Sequence, residues 1–96
     1  MYILVTYDVE TKTREGQRRL RRIAQICLNY GQRVQNSVFE CKLDATEYVT
    51  IKHELLQAYD PDKDSIRIYR LGKNYDKSVE HYGTKVSYRI DKPLVL

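Results

Sequence analysis

Tryptophan is absent from this chain, and only two cysteines, two prolines and four glycines occur among its 96 residues. Cys27 and Cys41 lack the close spacing of metal-binding or redox pairs, so we expect two free, buried thiols. No apolar run approaches the roughly 20 residues that span a bilayer, and the chain does not open with a basic segment followed by a separate apolar one. These absences argue against a disulfide scaffold, a membrane protein and a secreted protein. We therefore expect a cytoplasmic protein that does not contact a membrane.

Basic residues are concentrated in one part of the chain, whose net charge is +4 overall. Between positions 12 and 33 there is one acid, Glu15, against seven basic residues: Lys12, Arg14, Arg18, Arg19, Arg21, Arg22 and Arg33. Arginine presents a planar fork that fits phosphate oxygens, so this cluster predicts contact with a nucleic-acid backbone. The alternative is an ordinary solvated helix face, but such faces usually intersperse acids, and residues 18–22 contain none.

The N-terminal third predicts a strand followed by an amphipathic helix. Residues 2–9 are rich in aromatic and β-branched types, and the strand ends at an acid, Asp8. Alternation along this strand places three side chains on one face: Ile3, Val5 and Tyr7. Thr13 is a candidate N-cap, and Gly31 is well placed to end the helix. The apolar stripe of this helix is formed by Leu20, Ile23, Ala24, Cys27 and Leu28.

The next segments complete an α+β pattern. Residues 32–35 and 38–43 predict two strands, separated by the turn-forming side chains of 35–37. The expected buried face of the second strand consists of Phe39, Cys41 and Leu43. A second helix is predicted from 44 to 59, with an apolar stripe formed by Tyr48, Ile51, Leu55, Leu56 and Tyr59. Residues 65–71 predict a further strand. The order βαββαβ is that of a ferredoxin-like fold, with two helices on an antiparallel sheet.

The end of the chain is less regular. It predicts a polar connector through Gly83, an additional C-terminal strand at 86–90 and an apolar tail at 93–96. We expect a single domain, 1–96, in which 84–96 form an extension that docks elsewhere, on a partner subunit; a simple packing strand is an equally good interpretation of the apolar end. Because a domain of this size buries only a modest core, size alone favours a dimer.

Two motifs give the chain a specific resemblance: Tyr7-Asp8 at the end of the first strand and Gln35-Asn36-Ser37-Val38-Phe39-Glu40. With these motifs the sequence resembles the CRISPR-associated family of small dimeric metal-dependent nucleases, Cas protein two, which works with Cas protein one in acquiring new spacers. The resemblance covers nearly the whole chain, from Met1 to at least Leu71. It implies a two-fold homodimer that the C-terminal extension helps to tie together.

Asp8 is the centre of the predicted chemistry. Mg²⁺ takes oxygen ligands and often uses only one or two carboxylates while it keeps several waters, so two copies of one aspartate in a dimer would complete a site. Taken alone, a single acid at this position is better interpreted as a turn cap after the strand. The resemblance implies instead one Mg²⁺ (or Mn²⁺) ion shared between the two Asp8 side chains.

The resemblance also implies roles for other residues. Beside the catalytic Asp8, it assigns Arg19 and Arg33 to phosphate and Phe39 to the shape of the cleft. Ser37 would hold a phosphate or a water, although a hydroxyl at a bend more often bonds the local backbone. The residues expected to bind nucleic acid are Arg14, Arg18, Arg19, Arg22, Arg33 and Ser37.

Several functions are compatible with these features. The first is a metal-dependent endonuclease that cleaves RNA or double-stranded DNA. The second is a non-catalytic dimeric scaffold that holds DNA and bridges subunits of Cas protein one. A toxin-like endoribonuclease of similar fold is a further alternative. An RNA-recognition domain shares the topology, but residues 65–72 lack its aromatic motif.

Overall fold

The computed structural model describes residues 1–72 and 79–84 of the chain. The fold is α+β, and its elements are β1 Tyr2–Asp8, α1 Arg14–Tyr30, β2 Gly31–Gln35, β3 Val38–Lys42, α2 Ala45–Ala58, β4 Ser65–Leu71 and β5 Val79–Gly83. The strands form one antiparallel sheet in the order β2-β3-β1-β4-β5. The first four strands have the order of the predicted ferredoxin-like fold, and β5 extends the sheet beyond β4.

The core lies between the two helices and one face of the sheet. Alternation along β1 buries Ile3, Val5 and Tyr7, and the β1–β3 register places Val5 opposite Phe39 and Ile3 opposite Cys41. These side chains pack with apolar residues of both helices: Ile23, Ile26, Cys27, Tyr48, Ile51 and Leu55. The predicted faces of β1 and β3 are therefore confirmed. Asp8, one residue beyond Tyr7, points away from this core because strand side chains alternate.

Both helices begin at capped N-termini. The hydroxyl of Thr13 accepts a hydrogen bond of 3.0 Å from the backbone N–H of Gly16, as the sequence predicts. The α2 helix has a capping box, in which Asp44 and Glu47 each accept from the other's backbone N–H, at 2.8 and 3.0 Å. Such caps satisfy amide groups that lack partners within the helix. They fix where each helix starts relative to the preceding strand.

One residue of the predicted α1 stripe is placed wrongly by the sequence pattern. Leu28 is 46% exposed, whereas Ile26 is buried. The buried stripe is centred between Ile23 and Cys27, and each residue turns the helix by about 100°. Leu28 therefore lies beyond the edge of the stripe, and Ile26 lies within it. Cys27 and Cys41 are free and buried as predicted, and burial raises the pKa of their thiols to about 12 and about 11.

The predicted polar connector through Gly83 is also wrong, because part of it forms β5. This strand pairs with β4 from Val79 opposite Tyr69 to Gly83 opposite Ser65. It is held to α2 by polar side chains rather than by an apolar stripe: Glu80 accepts a hydrogen bond of 2.8 Å from Lys52. A strand that is anchored by polar side chains shows little hydrophobic periodicity in its sequence.

The predicted strand at 86–90 and the apolar tail at 93–96 lie outside the described residues, and of the predicted extension 84–96 only Thr84 is described. In the part of the chain that the structure covers, no helix is both long and apolar enough to cross a membrane.

Candidate functional site

One end of the sheet brings together the motifs that the sequence singled out. Asp8 ends β1 and pairs with Ser65, the first residue of β4. The backbone N–H of Tyr7 donates to the carbonyl oxygen of Ser37 at 3.2 Å, so the turn between β2 and β3 lies at the same end. The antiparallel order causes this meeting, because β1 ends where β3 and β4 begin. The α1 helix also starts here, after a short loop from β1.

The carboxylate of Asp8 is solvent-exposed at this end of the sheet. Within residues 1–72 and 79–84, no group of three or more His, Cys, Asp or Glu side chains could hold a metal ion. A zinc site would need three or four such side chains. Mg²⁺ and Mn²⁺ are bound with fewer, because waters and substrate phosphate complete their coordination. A single exposed carboxylate from each of two chains therefore fits a hard divalent cation.

Arg19, predicted to contact phosphate, has a partner within the protein. Its Nε donates to Oδ2 of Asp64 at 2.7 Å and its Nη2 donates to Oδ1 at 3.3 Å. The Arg19 side chain is 17% exposed, and that of Asp64 is fully buried. Burial alone would raise the pKa of Asp64, but the hydrogen bond from Arg19 and two backbone hydrogen bonds outweigh it, so the pKa is lowered. Arg19 thus lies at the predicted end of the molecule, committed to an ion pair.

Sequence reasoning missed Asp64. It is separated from Arg19 by 45 positions, and it directly precedes the alternating pattern of β4. An acid at this position is typical of an ordinary polar turn, and the same segment also contains Asp60 and Asp62. Its burial follows from tertiary packing that no local pattern reports.

Arg33 and Phe39 lie opposite each other on neighbouring strands β2 and β3. The guanidinium carbon of Arg33 lies 5.0 Å from the ring centroid of Phe39. Phe39 is fully buried and stacks on Tyr7, with ring centroids 6.0 Å apart. The ring therefore supports Arg33 from within the core, while the guanidinium stays at the surface. Burial raises the pKa of Tyr7 to about 12, so this phenol is neutral at physiological pH.

The outer face of α1 presents the remaining predicted nucleic-acid contacts. Arg14, Arg18 and Arg22 follow one another at four-residue spacing and are solvent-exposed. Among the described residues, the buried or half-buried acids Asp64 and Glu80 pair with Arg19 and Lys52, and none of these three arginines forms an ion pair with a described acid. We call Arg14, Arg18 and Arg22 the basic face. It begins at the end of the sheet where Asp8 lies.

Comparisons with known proteins agree with this arrangement of motifs. A sequence profile of the family described as CRISPR associated protein Cas2 matches residues 1–79. The chain is 54% identical over 95 residues to the CRISPR-associated endonuclease Cas2 of Halalkalibacterium halodurans, with 99% of each chain covered. It is 50% identical over 96 residues to the CRISPR-associated endoribonuclease Cas2 1 of Moorella thermoacetica, with 100% of both chains covered.

A solved structure is also similar. The crystal structure of Streptococcus pyogenes Cas2 at pH 6.5 aligns with a TM-score of 0.71 and 57% sequence identity, covering 86% of this chain and 100% of that one. The profile match over most of the chain and the full-length relatives show that this chain belongs to the CRISPR-associated Cas2 family.

Proposed function

We propose that this protein is a metal-dependent endonuclease of a CRISPR system, which cleaves phosphodiester bonds in RNA or double-stranded DNA and takes part in spacer acquisition. The observation that carries the proposal is the exposed carboxylate of Asp8 at the end of the sheet where the basic face begins. The names of the relatives, endonuclease and endoribonuclease, support the reaction class.

The active form is a two-fold dimer in which both Asp8 side chains hold one Mg²⁺ or Mn²⁺ ion. One carboxylate is too little for tight binding, and two-fold symmetry duplicates every residue at an isologous interface. We also propose that the C-terminal segment, residues 84–96, contributes to this dimer.

Different side chains serve metal binding, phosphate contact and nucleic-acid binding. Asp8 holds the ion, and Arg33, supported by the ring of Phe39, contacts the phosphate to be cleaved. The basic face binds the neighbouring backbone phosphates, and Ser37 in the β2–β3 turn holds a phosphate or a water. When bound, the ion would supply an activated water and neutralise charge that develops on the phosphodiester.

A second candidate function is a scaffold that holds DNA and bridges subunits of Cas protein one. The observation that favours it is that the basic face lies on a helix and does not include Asp8, so binding does not require the metal. Both functions can belong to the same dimer, in which case Asp8 serves cleavage alone.

The test is an incubation of labelled single-stranded RNA and duplex DNA with wild-type protein and Asp8→Asn, each with and without Mg²⁺. We expect Asp8→Asn to reduce cleavage to background while it leaves nucleic-acid binding intact, because it removes a charge with little change in size. Asp62→Asn, an identical change at an exposed turn residue, is the matched control and should cleave as wild type.

Full Mg²⁺-dependent cleavage by rigorously purified Asp8→Asn would contradict the metal assignment. If wild type binds DNA and Cas protein one but cleaves neither substrate, the scaffold function stands alone.

A further inference from the structure

Asp64 is a charged side chain that the fold buries completely. Its carboxylate accepts four hydrogen bonds, two from Arg19 and one each from the backbone N–H groups of Asp60 (2.9 Å) and Glu10 (3.1 Å). A buried carboxylate is tolerated only when its charge is paired and its oxygens are hydrogen-bonded. Asp64 meets both requirements, which fixes it relative to three separate segments of the chain.

One of these hydrogen bonds and the position of Asp64 in the sequence both bear on the end of β1. Glu10 lies two residues after Asp8, in the loop that leads to α1, and its N–H is held by Asp64. Asp64 also directly precedes Ser65, the register partner of Asp8. The strand end that carries Asp8 is thus fixed by pairing at Ser65 and by a hydrogen bond just beyond it.

The carbonyl side of the same loop is fixed by a close approach of α1. A Cβ atom added to Gly16 would lie 1.9 Å from the carbonyl oxygen of Glu10, which is far inside contact distance. Only glycine allows this helix to pack so closely against the loop. Glu10 is therefore held on its N–H side by Asp64 and on its carbonyl side by the first turn of α1.

Asp64 also meets the point where the chain leaves β5. Its carbonyl oxygen accepts a hydrogen bond of 2.8 Å from the N–H of Thr84. Gly83 has a φ of +103°, and a Cβ atom there would lie 2.1 Å from the same carbonyl oxygen. Thr84, the residue that follows β5, is therefore in contact with the residue that holds the Asp8 loop.

We propose that Asp64 is a positioning residue for Asp8: through the N–H of Glu10 and through Arg19, it fixes the strand end that carries the metal ligand and sets the start of the basic face relative to it. The inference rests on the proposed metal function of Asp8. In this arrangement the charges of Arg19 and Asp64 neutralise each other. Arg19 therefore affects cleavage through the position of the loop that contains Glu10.

The decisive measurement is the affinity for Mn²⁺ alone, obtained by titration calorimetry on folded protein without nucleic acid. The variant is the double substitution Arg19→Met with Asp64→Leu, which removes both charges of the pair together, because removing one partner alone would leave an uncompensated charge. It removes the acceptor for Glu10 N–H. We expect the dissociation constant for Mn²⁺ to rise about 10-fold, the low end of the effect seen when groups that orient metal ligands are removed.

Two further variants separate positioning from general stability. Glu80→Gln weakens the contact between α2 and β5 without touching Asp64 or the Glu10 loop, so Mn²⁺ affinity should stay within about 2-fold of wild type, even if the melting temperature falls. Gly16→Ala displaces the loop without touching Asp64 and should weaken Mn²⁺ binding as the double variant does. Amide hydrogen exchange at Glu10 should accelerate in the double variant.

The outcomes distinguish this inference from the proposed function. If wild type and Asp8→Asn bind Mn²⁺ equally, the metal assignment of Asp8 fails, and the positioning role fails with it. If Asp8→Asn loses Mn²⁺ while the folded double variant binds it as wild type, the metal assignment stands and the positioning role is overturned. Should the double variant not fold, Asp64→Asn and Gly16→Ala decide the matter by the same titration.

Discussion

The guanidinium of Arg33 rests 5.0 Å above the centroid of a fully buried ring, that of Phe39. This contact joins the core to the surface at the end of the molecule where Asp8 lies. The ring contributes packing, and the guanidinium contributes charge. The two residues, both assigned to the site by the family resemblance, therefore contribute differently: Phe39 to stability and Arg33 to charge. Separate substitutions can measure the two contributions.

Phe39→Ala should reduce the free energy of unfolding by about 3–5 kcal/mol, because it leaves a cavity beneath β2 and beside Tyr7. Arg33→Gln changes an exposed side chain and should cost less than about 1 kcal/mol. A double-mutant cycle in urea should give a coupling of about 0.5–1 kcal/mol, the usual value of an exposed cation–π contact. Unchanged stability in Phe39→Ala would show that the ring is not a core residue.

The stability of the protein at acid pH should depend on Glu80. Burial alone would raise the pKa of this carboxyl, but hydrogen bonds from Lys52, Tyr48 and Tyr82 outweigh that effect and lower the pKa to about 2. Since the folded pKa lies below the unfolded value of about 4.3, the stabilisation is present above that value and is lost as the pH falls toward 2.

Glu80→Gln should therefore lower stability at pH 7, and the difference from wild type should shrink between pH 4.5 and about pH 2. Urea unfolding at several pH values measures this directly. Gln57→Ala, a change at an exposed residue of α2 that does not titrate, is the control and should leave the acid dependence unchanged. A constant difference between Glu80→Gln and wild type across this range would show that Glu80 is not held ionised by its partners.

Local patterns predicted most of the fold because strand alternation and helix capping depend on residues that are close together in the sequence. Alternation along residues 2–9 placed Tyr7 and Asp8 on opposite faces, and the Thr13 cap identified the start of α1. The strand β5 was missed because polar contacts from Glu80 anchor it, and such contacts leave no hydrophobic period.

Residues of the candidate site were singled out only where the family resemblance assigned them. Asp8 and Arg33 were identified in this way, and their roles stay predictions. Asp64 was not, because its role depends on burial and on an ion pair across 45 positions, both of which arise only once the chain has folded. The same ion pair distinguishes Arg19 from the exposed arginines, with which composition alone groups it.

Binding to duplex DNA should depend on salt through the basic face. Each phosphate that an arginine neutralises releases condensed counterions, and contributes about −0.9 to the slope of log affinity against log salt. Replacing Arg14, Arg18 and Arg22 together by glutamine should flatten the slope by up to about 2.7 per chain, with little dependence on DNA sequence. Fluorescence anisotropy at several salt concentrations provides both the affinity and the slope.

Lys42→Gln is a control for this experiment, because Lys42 is exposed at the opposite end of β3 from the Ser37 turn. It should leave the salt slope close to that of wild type. If the triple substitution leaves both affinity and slope unchanged, the basic face is only a solvated helix surface.

The last prediction concerns the stoichiometry of the shared metal. If the two Asp8 side chains of a dimer hold one ion, titration with Mn²⁺ should saturate at one ion per two chains, and light scattering should report a mass near twice that of the 11.4 kDa chain at micromolar concentration. Asp8→Asn should remain dimeric yet lose the metal, because an amide of nearly the same size cannot replace the charge of the carboxylate. Saturation at one ion per chain would place a complete site within each protomer. A wild-type protein that stays monomeric at these concentrations would contradict the shared site itself, since one exposed carboxylate per chain would then have no symmetry mate.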